Sequence, residues 1–338
     1  MYKLSNRRYT GSKYKLLDWI EELIVSECTG GIFFDVFAGT GVVSNRMKNN
    51  FKKIVINDFL YSNEVIYKAF FGDGSYNMAV LNKCMAKYQT LDPQNIEDNY
   101  VSDNYGGKYF SYNDAKVIGC IREDIEDNKG ELSNREYNIL LAALLYSIDR
   151  IANTVGHYDA YRKIKIINDR FKYDLIDIET STTQFEIYRE DANQLVRHVK
   201  ADVAFIDPPY NSRQYSRFYH VLENITEWKK PELEGVALKP KPENMSEYCK
   251  NDAPMVFKDL IENIDARYIV VTYNNTYNSR STSSRNKITL EEIKEILDAK
   301  GSTVVKEKDH PFFNAGKTDL KDHKEFVFIT KVGATDDN

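Results

Sequence analysis

Apolar positions first fall into register over residues 13–26, where Leu16, Leu17, Ile20, Leu23 and Ile24 share one helical stripe. After Gly30-Gly31 the pattern becomes a short continuous apolar run, 32–36, typical of a strand buried on both faces of a parallel sheet. That run ends in Phe37-Ala38-Gly39-Thr40-Gly41, and a short helical stretch leads to a second run at 53–58. Strand, helix and strand in this order predict an α/β layer. Residues 72–135 are different: polar, rich in Tyr, Asn and Asp, and broken by Gly and Pro. Residues 137–152 are apolar on nearly all sides and predict a buried helix, closed by Asn153-Thr154-Val155-Gly156. The strand–helix alternation resumes near 185. Residues 203–206 and 268–272 predict buried strands, 290–299 an amphipathic helix, and 303–307 and 325–331 two last strands. The pattern thus places an α/β domain at 1–74 and 185–335, interrupted by an inserted, mainly helical domain at 75–184.

With 42% hydrophobic and 29% charged residues, the 338-residue chain can build a sizeable core and is not a mainly disordered sequence. No apolar run approaches the ~18 residues needed to span a bilayer, and the first fifteen residues lack a signal-like apolar stretch. A cytoplasmic protein without membrane partners is expected. Cys28, Cys84, Cys120 and Cys249 form no CxxC pair, and the histidines at 157, 198, 220, 310 and 323 do not cluster, so no metal site is expected. The net charge of −5 excludes a wholly basic surface but not a local one. Residues 1–20 balance at +4, 92–131 at −6 and 267–331 at +3.

Phe37-Ala38-Gly39-Thr40-Gly41 lies between a predicted strand and helix, where glycines let the backbone turn sharply and approach a ligand. A full dinucleotide fingerprint would place Gly or Ala at position 44, which is Ser44. Asp58 ends the next strand, where a carboxylate can accept ribose hydroxyls. An ordinary strand-to-helix turn and a helix-capping Asp are the alternatives.

Asp207-Pro208-Pro209-Tyr210 is more specific. It follows a buried strand directly, so it sits at the carboxyl edge of the sheet, where open α/β sheets bind ligands. Two prolines remove two backbone donors and stiffen the loop, which presents carbonyls as acceptors. An acceptor carboxylate precedes them and an aromatic ring follows. These parts suit an exocyclic amine on a flat base. Asp207 and the Pro208 carbonyl would each accept one amino hydrogen, aiming the nitrogen lone pair at an electrophile and stabilising the charge that develops there. Tyr210 would stack on the base.

Taken in order, Arg8-Tyr9-Thr10-Gly11-Ser12-Lys13, Phe37-x-Gly39-x-Gly41, Asn57-Asp58 and Asp207-Pro208-Pro209-Tyr210 resemble the alpha class of adenine-specific DNA methyltransferases, the Dam-like group. The resemblance spans 1–75 and 185–332. It implies a Rossmann-like S-adenosylmethionine-dependent methyltransferase fold, with a mixed sheet, an antiparallel last hairpin and an inserted recognition domain. It implies S-adenosyl-L-methionine as cofactor and double-stranded DNA as substrate, with a cognate restriction endonuclease as partner. Carried over by position, Tyr9 and Lys13 would touch the methyl donor, Lys13 at its carboxylate. Phe37, Gly39 and Gly41 would line its methionine end and Asp58 its ribose. Asp191 would accept from its adenine, with neighbouring Glu190 a rival. Asp207, Pro208 and Tyr210 would be catalytic, acting on a base flipped out of the duplex. Arg213, Tyr215 and Arg217 would contact DNA, with a solvated helix start as the alternative for the two arginines. Residues 278–285 are a second basic candidate. Residues 156–163 are a candidate sequence-reading segment, with His157, Tyr158 and Tyr161 as structural residues in the alternative. A cytosine-amine or RNA-base methyltransferase, a catalytically silent DNA-binding module and a nicotinamide dehydrogenase remain as other readings.

Overall fold

The computed structural model describes residues 1–276, 285–309 and 323–333. In chain order the elements are α1 (Leu17–Glu27), β1 (Ile32–Asp35), α2 (Val42–Met47), β2 (Lys53–Asn57), α3 (Tyr61–Phe71), α4 (Met78–Gln89), α5 (Tyr100–Tyr105), α6 (Tyr112–Asp127), α7 (Asn134–Ile151), β3 (Gln184–Tyr188), α8 (Ala192–Leu195), β4 (Lys200–Ile206), α9 (Tyr215–Phe218), α10 (His220–Glu227), α11 (Ala253–Asn263), β5 (Asp265–Asn274), α12 (Leu290–Asp298), β6 (Gly301–Asp309) and β7 (Lys324–Val332). They fall into two compact units. One comprises Met1–Ser12, Leu60–Thr180 and Ser216–Glu243, the other Lys13–Phe59, Ser181–Tyr215 and Asn244–Asn338.

The second unit holds the sheet. Among the described residues seven strands run in the order β3-β2-β1-β4-β5-β7-β6. The first five are parallel, and β7 is antiparallel to both β5 and β6. This is the mixed α/β sheet that the sequence predicts. Alternation along the strands sorts side chains to two faces. Phe34, Val55, Ala204, Ile206 and Val271 join a core with Phe257 and Leu260 of α11 and Ile293 and Leu297 of α12. Phe33, one residue out of phase, packs on Phe51 and Phe205 instead. Each such burial contributes roughly 1.5–3 kcal/mol. Parallel pairing also brings the carboxyl ends of the strands to one edge: Asp35 stands opposite Ile56 and Phe205, and Asn57 opposite Tyr188.

The first unit is helical. It contains 60–74, 1–12 and 216–243 besides most of the 75–184 insertion. The sequence boundaries assign those flanking pieces to the α/β domain. Packing explains their place: α3 lies against α7 and α10, and the Ile66, Tyr67 and Phe70 side chains of α3 are buried. The polar stretch 72–135, broken by Gly and Pro, forms α4, α5 and α6. Their starts are fixed by side-chain caps: Asn77, Asn99 and Ser111 each accept a backbone N–H of the first turn, as Ser133 does for α7. Such a cap contributes about 1 kcal/mol. Two buried charges close helix ends. Glu223 accepts the N–H groups of Tyr61 and Ser62, both at 2.9 Å, at the start of α3. Arg122 donates to the Ile225 and Thr226 carbonyls at the end of α10, at 2.7 and 3.2 Å. Each charge opposes the partial charge of the helix end it meets.

Candidate active site

In the sheet unit the turn after β1 is a tight coil of backbone. Gly39 and Gly41 adopt φ of +54° and +73°, a left-handed region costly for any residue with a Cβ. The Asp58 Oδ2 accepts the Gly39 N–H at 2.9 Å, so the carboxylate that ends β2 holds the turn that ends β1. Asn57, beside it, ties three strand ends together. Its amide donates to the Val36 and Glu190 carbonyls at 3.1 and 3.2 Å, and its oxygen accepts the Glu190 N–H at 3.0 Å. Phe37 meets Tyr248 edge-on at 5.0 Å.

Asp207 extends β4 at the same edge and is surrounded by donors. Its Oδ2 pairs with the Lys13 ammonium at 2.8 Å, and its Oδ1 accepts from the Thr272 hydroxyl at 2.8 Å and from the Tyr210 hydroxyl. Lys13, only 6% exposed, also donates to the Tyr210 oxygen at 2.8 Å. The Tyr210 ring stands edge-on to Tyr273 at 4.6 Å, and its backbone carbonyl accepts the Lys287 N–H at 2.8 Å. The loop is thus stiffened by β5 as well as by its two prolines. The sequence places Lys13 at a ligand carboxylate and Tyr210 on a base. In the structure both donate to Asp207.

Burial and crowded negative charge shape the titration here. Asp35, at the end of β1, is pushed up to about 7 by burial; a hydrogen bond from Ser44 at 2.7 Å opposes this, and the charges of Asp207 and Asp58 add to it. Its other oxygen, Oδ1, has no protein partner. Glu325 on β7 is likewise pushed up to about 7 by burial, with Lys13 opposing and Asp207 adding. Burial, together with the Asp207 and Glu325 charges, drives the Tyr210 phenol well above its ordinary value, so it remains a donor. Asp35, Ser44, Asn57, Thr272, Tyr273 and Glu325 were not singled out as site residues from the sequence. Only Asn57 and Ser44 carried a signal, through their motifs.

The other predicted residues are placed as follows. Asp191 is exposed and caps α8 by accepting the Gln194 N–H at 3.1 Å; Glu190 is exposed too. Arg213 and Tyr215 are half-buried in the sheet unit, where the Arg213 carbonyl accepts from Cys249. Tyr9 belongs to the helical unit and stacks on Tyr219 at 4.8 Å, with the Arg7 guanidinium over both rings. Arg217, also in the helical unit, donates to the Pro240 carbonyl at 2.6 Å. His157 stacks on Phe218 at 4.3 Å, and buried Tyr158 donates to Asp149. Of 278–285 only Arg285 lies within the described residues. Among the described residues, no cluster of His, Cys, Asp or Glu could hold a metal ion, and no helix is long and apolar enough to cross a membrane.

A carboxylate ringed by donors at one strand end, beside a glycine turn held by a second carboxylate at the next, can hold an amine near a cationic ligand. Comparison with known proteins agrees in kind. The sequence profile of the D12 class N6 adenine-specific DNA methyltransferases matches residues 9–282. Type II methyltransferase M.NlaIII of Neisseria lactamica is 30% identical over 328 residues, covering 94% of this chain and 95% of that protein. Type II methyltransferase M.CviAII of Paramecium bursaria Chlorella virus 1 is 32% identical over 342 residues, covering 95% and 98%. Modification methylase StsI of Streptococcus sanguinis is 35% identical over 287 residues, covering 79% of this chain and 44% of that protein. The chain thus spans nearly all of the first two and under half of StsI.

Proposed function

The chain belongs to the D12 class of N6 adenine-specific DNA methyltransferases, and we propose that it methylates the exocyclic amine of one adenine within a specific duplex sequence, using S-adenosyl-L-methionine. The observation that carries this reading is the Asp207 carboxylate, held by Lys13, Thr272 and Tyr210 at the strand end next to the Gly39–Gly41 turn. Asp35, at the end of β1 next to β4, stands between these two halves.

The residues present suit the donor. The two left-handed glycines leave the turn without Cβ atoms. Asp35, Asp58 and Asp207 supply negative potential for a cation, and the Asp35 Oδ1 is a buried acceptor without a protein partner. Bound there, S-adenosyl-L-methionine supplies an electrophilic methyl group on a positively charged sulfur. Phe37, Gly39, Gly41 and Asp58 would hold it, with Asp191 at its adenine.

Asp207 would accept one hydrogen of the target amine and the Pro208 carbonyl the other. So held, the nitrogen lone pair would face the donor's methyl group, and Asp207 would be the first acceptor for the proton the amine gives up. The ring of donors matters for entry. An incoming amine would meet a carboxylate already oriented by two hydroxyls and the Lys13 ammonium. Holding both reactants in line supplies much of the remaining rate. The target base must leave the duplex to arrive, at a cost of a few kcal/mol. Arg213 and Tyr215 after the catalytic loop, and Arg217 further on, would contact the strand around it.

The inserted helical unit would read the sequence. Given relatives named as type II methyltransferases and modification methylases, we read the chain as the modification half of a restriction system, working in the cytoplasm beside a cognate endonuclease. Purified protein given duplex DNA and methyl-labelled donor tests this directly. Labelled N6-methyladenine is expected from the wild type and none from Asp207→Ala, which should keep most of its DNA affinity. Strong residual transfer by Asp207→Ala would remove Asp207 from the proposed role, and label on cytosine would overturn the base assignment.

A further inference from the structure

Within the helical unit, two segments that the catalytic reading leaves unused expose an unusual mixture of side chains. Residues 162–166 read Arg-Lys-Ile-Lys-Ile, all five exposed, with Ile164 at 51% and Ile166 at 76% exposure. Among the described residues none of Arg162, Lys163 and Lys165 enters an ion pair, although Lys239 nearby pairs with Asp159. The second segment is a tight turn. Glu234 and Lys239 exchange backbone hydrogen bonds at 2.8 and 3.0 Å, Gly235 and Leu238 take φ of +70° and +54°, and Val236 stands at the tip, 77% exposed.

Both segments are fixed to the same buried frame. The Tyr109 hydroxyl lies 2.8 Å from the Tyr158 carbonyl and 2.9 Å from that of Ala237, sharing its hydrogen between the loops. Asn153 donates to the Lys108 and Arg162 carbonyls, both at 2.8 Å. His220 and Arg217 meet the Ala237 and Pro240 carbonyls at 2.8 and 2.6 Å. Burial pushes His220 down to about 4, so it is neutral and serves as a fixed strut. A folded protein seldom spends so many hydrogen bonds to present two isoleucines and a valine to water among uncompensated cations. Of the acids at these segments, Asp159 pairs with Lys239 and Asp169 accepts from Asn113, while Glu234, at the base of the turn, is exposed and its charge acts on Arg217.

We propose that the 162–166 strip and the Val236 turn form a duplex-DNA contact surface, in which Arg162, Lys163 and Lys165 bind phosphates while Ile164, Ile166 and Val236 press against bases as an apolar wedge. Charge complementarity selects the occupant: exposed unpaired cations favour a polyanion, and aliphatic wedges beside cations are a means of distorting stacked bases. The surface rests on the DNA-methyltransferase reading and adds to it the residues that grip the duplex. It joins the 162–166 strip to the turn closed by Glu234 and Lys239, in the segment after the catalytic loop.

The test uses the full chain. Arg162→Ala with Lys163→Ala and Lys165→Ala should lower the slope of log affinity against log salt by about one unit for each phosphate no longer neutralised. Calorimetric affinity for S-adenosyl-L-methionine and the thermal unfolding midpoint should not move. Ile166→Ser with Val236→Ser should instead keep the salt slope and weaken duplex binding roughly ten-fold. Wild-type methylation of DNA with both variants binding as tightly as wild type would overturn this surface and leave the enzymatic reading intact. Tight DNA binding by variants that fail to capture an acidic protein held by the wild type would assign the surface to that protein and overturn the proposal. A wild-type chain that labels no DNA would remove the enzymatic reading, and this surface with it.

Discussion

Thr272→Val removes a hydroxyl on which the proposed chemistry depends, one that also contacts the Tyr210 phenol. The Thr272 side chain is 2% exposed and its hydroxyl donates to the Asp207 Oδ1 at 2.8 Å. Valine has nearly the same shape, so the change creates no cavity and removes only the donor. A hydrogen bond to a charged group contributes about 1.5–3 kcal/mol. Asp207 keeps Lys13 and Tyr210, which places the loss at the low end of that range. At about 1.36 kcal/mol per factor of ten, kcat should fall about ten- to thirty-fold. The carboxylate turns more freely and holds the amine less well in line. Donor affinity should stay within about two-fold, since the proposed donor site lies with the residues around Gly39 and Asp58, which the substitution spares. Single-turnover transfer of labelled methyl to a duplex reads kcat, and calorimetry reads donor binding. Thr272→Ser, which restores the hydroxyl, should recover most of the rate. A valine variant as fast as wild type, or a serine variant as slow as the valine one, refutes the argument that Thr272 positions Asp207.

Asp58→Ala should weaken donor binding in a calorimetric titration, because it removes a proposed ligand and also frees the Gly39 N–H; unchanged affinity would take Asp58 out of the site. Glu325→Gln should alter the pH dependence of stability. Its carboxyl is raised from 4.5 to about 7 in the folded chain, so the unfolded chain ionises first and stability drains away as pH rises from about 4.5 to 7. Glutamine abolishes that drain, and urea unfolding at pH 5, 6 and 7 should give a shallower decline, by up to about 1.4 kcal/mol per pH unit. Parallel curves for variant and wild type would show that Glu325 does not titrate in this window.

What the chain encodes locally is legible in its residues. Short apolar runs mark the strands because a parallel strand covered on both faces tolerates little else. The glycine turn and the Asp-Pro-Pro-Tyr loop mark strand ends because special backbone geometry there demands special residues. Helices α4, α5 and α6 are harder to see, since their short apolar stripes lie in a stretch dominated by polar residues, while capping side chains fix their starts.

Partnership was the part that only folding could decide. Lys13 reaches Asp207 from the far end of the chain, and Thr272 reaches it across 65 positions. Neither approach leaves a periodic trace, because each depends on strand order and register. The same holds for α3 and α10, which neighbour sheet-forming segments in sequence but bury their apolar faces in the helical unit. Sequence names the groups that can donate, accept or turn, since those properties belong to single residues. Which of them meet is settled by long-range packing, because the free energy of a contact depends on everything else that must be buried to make it.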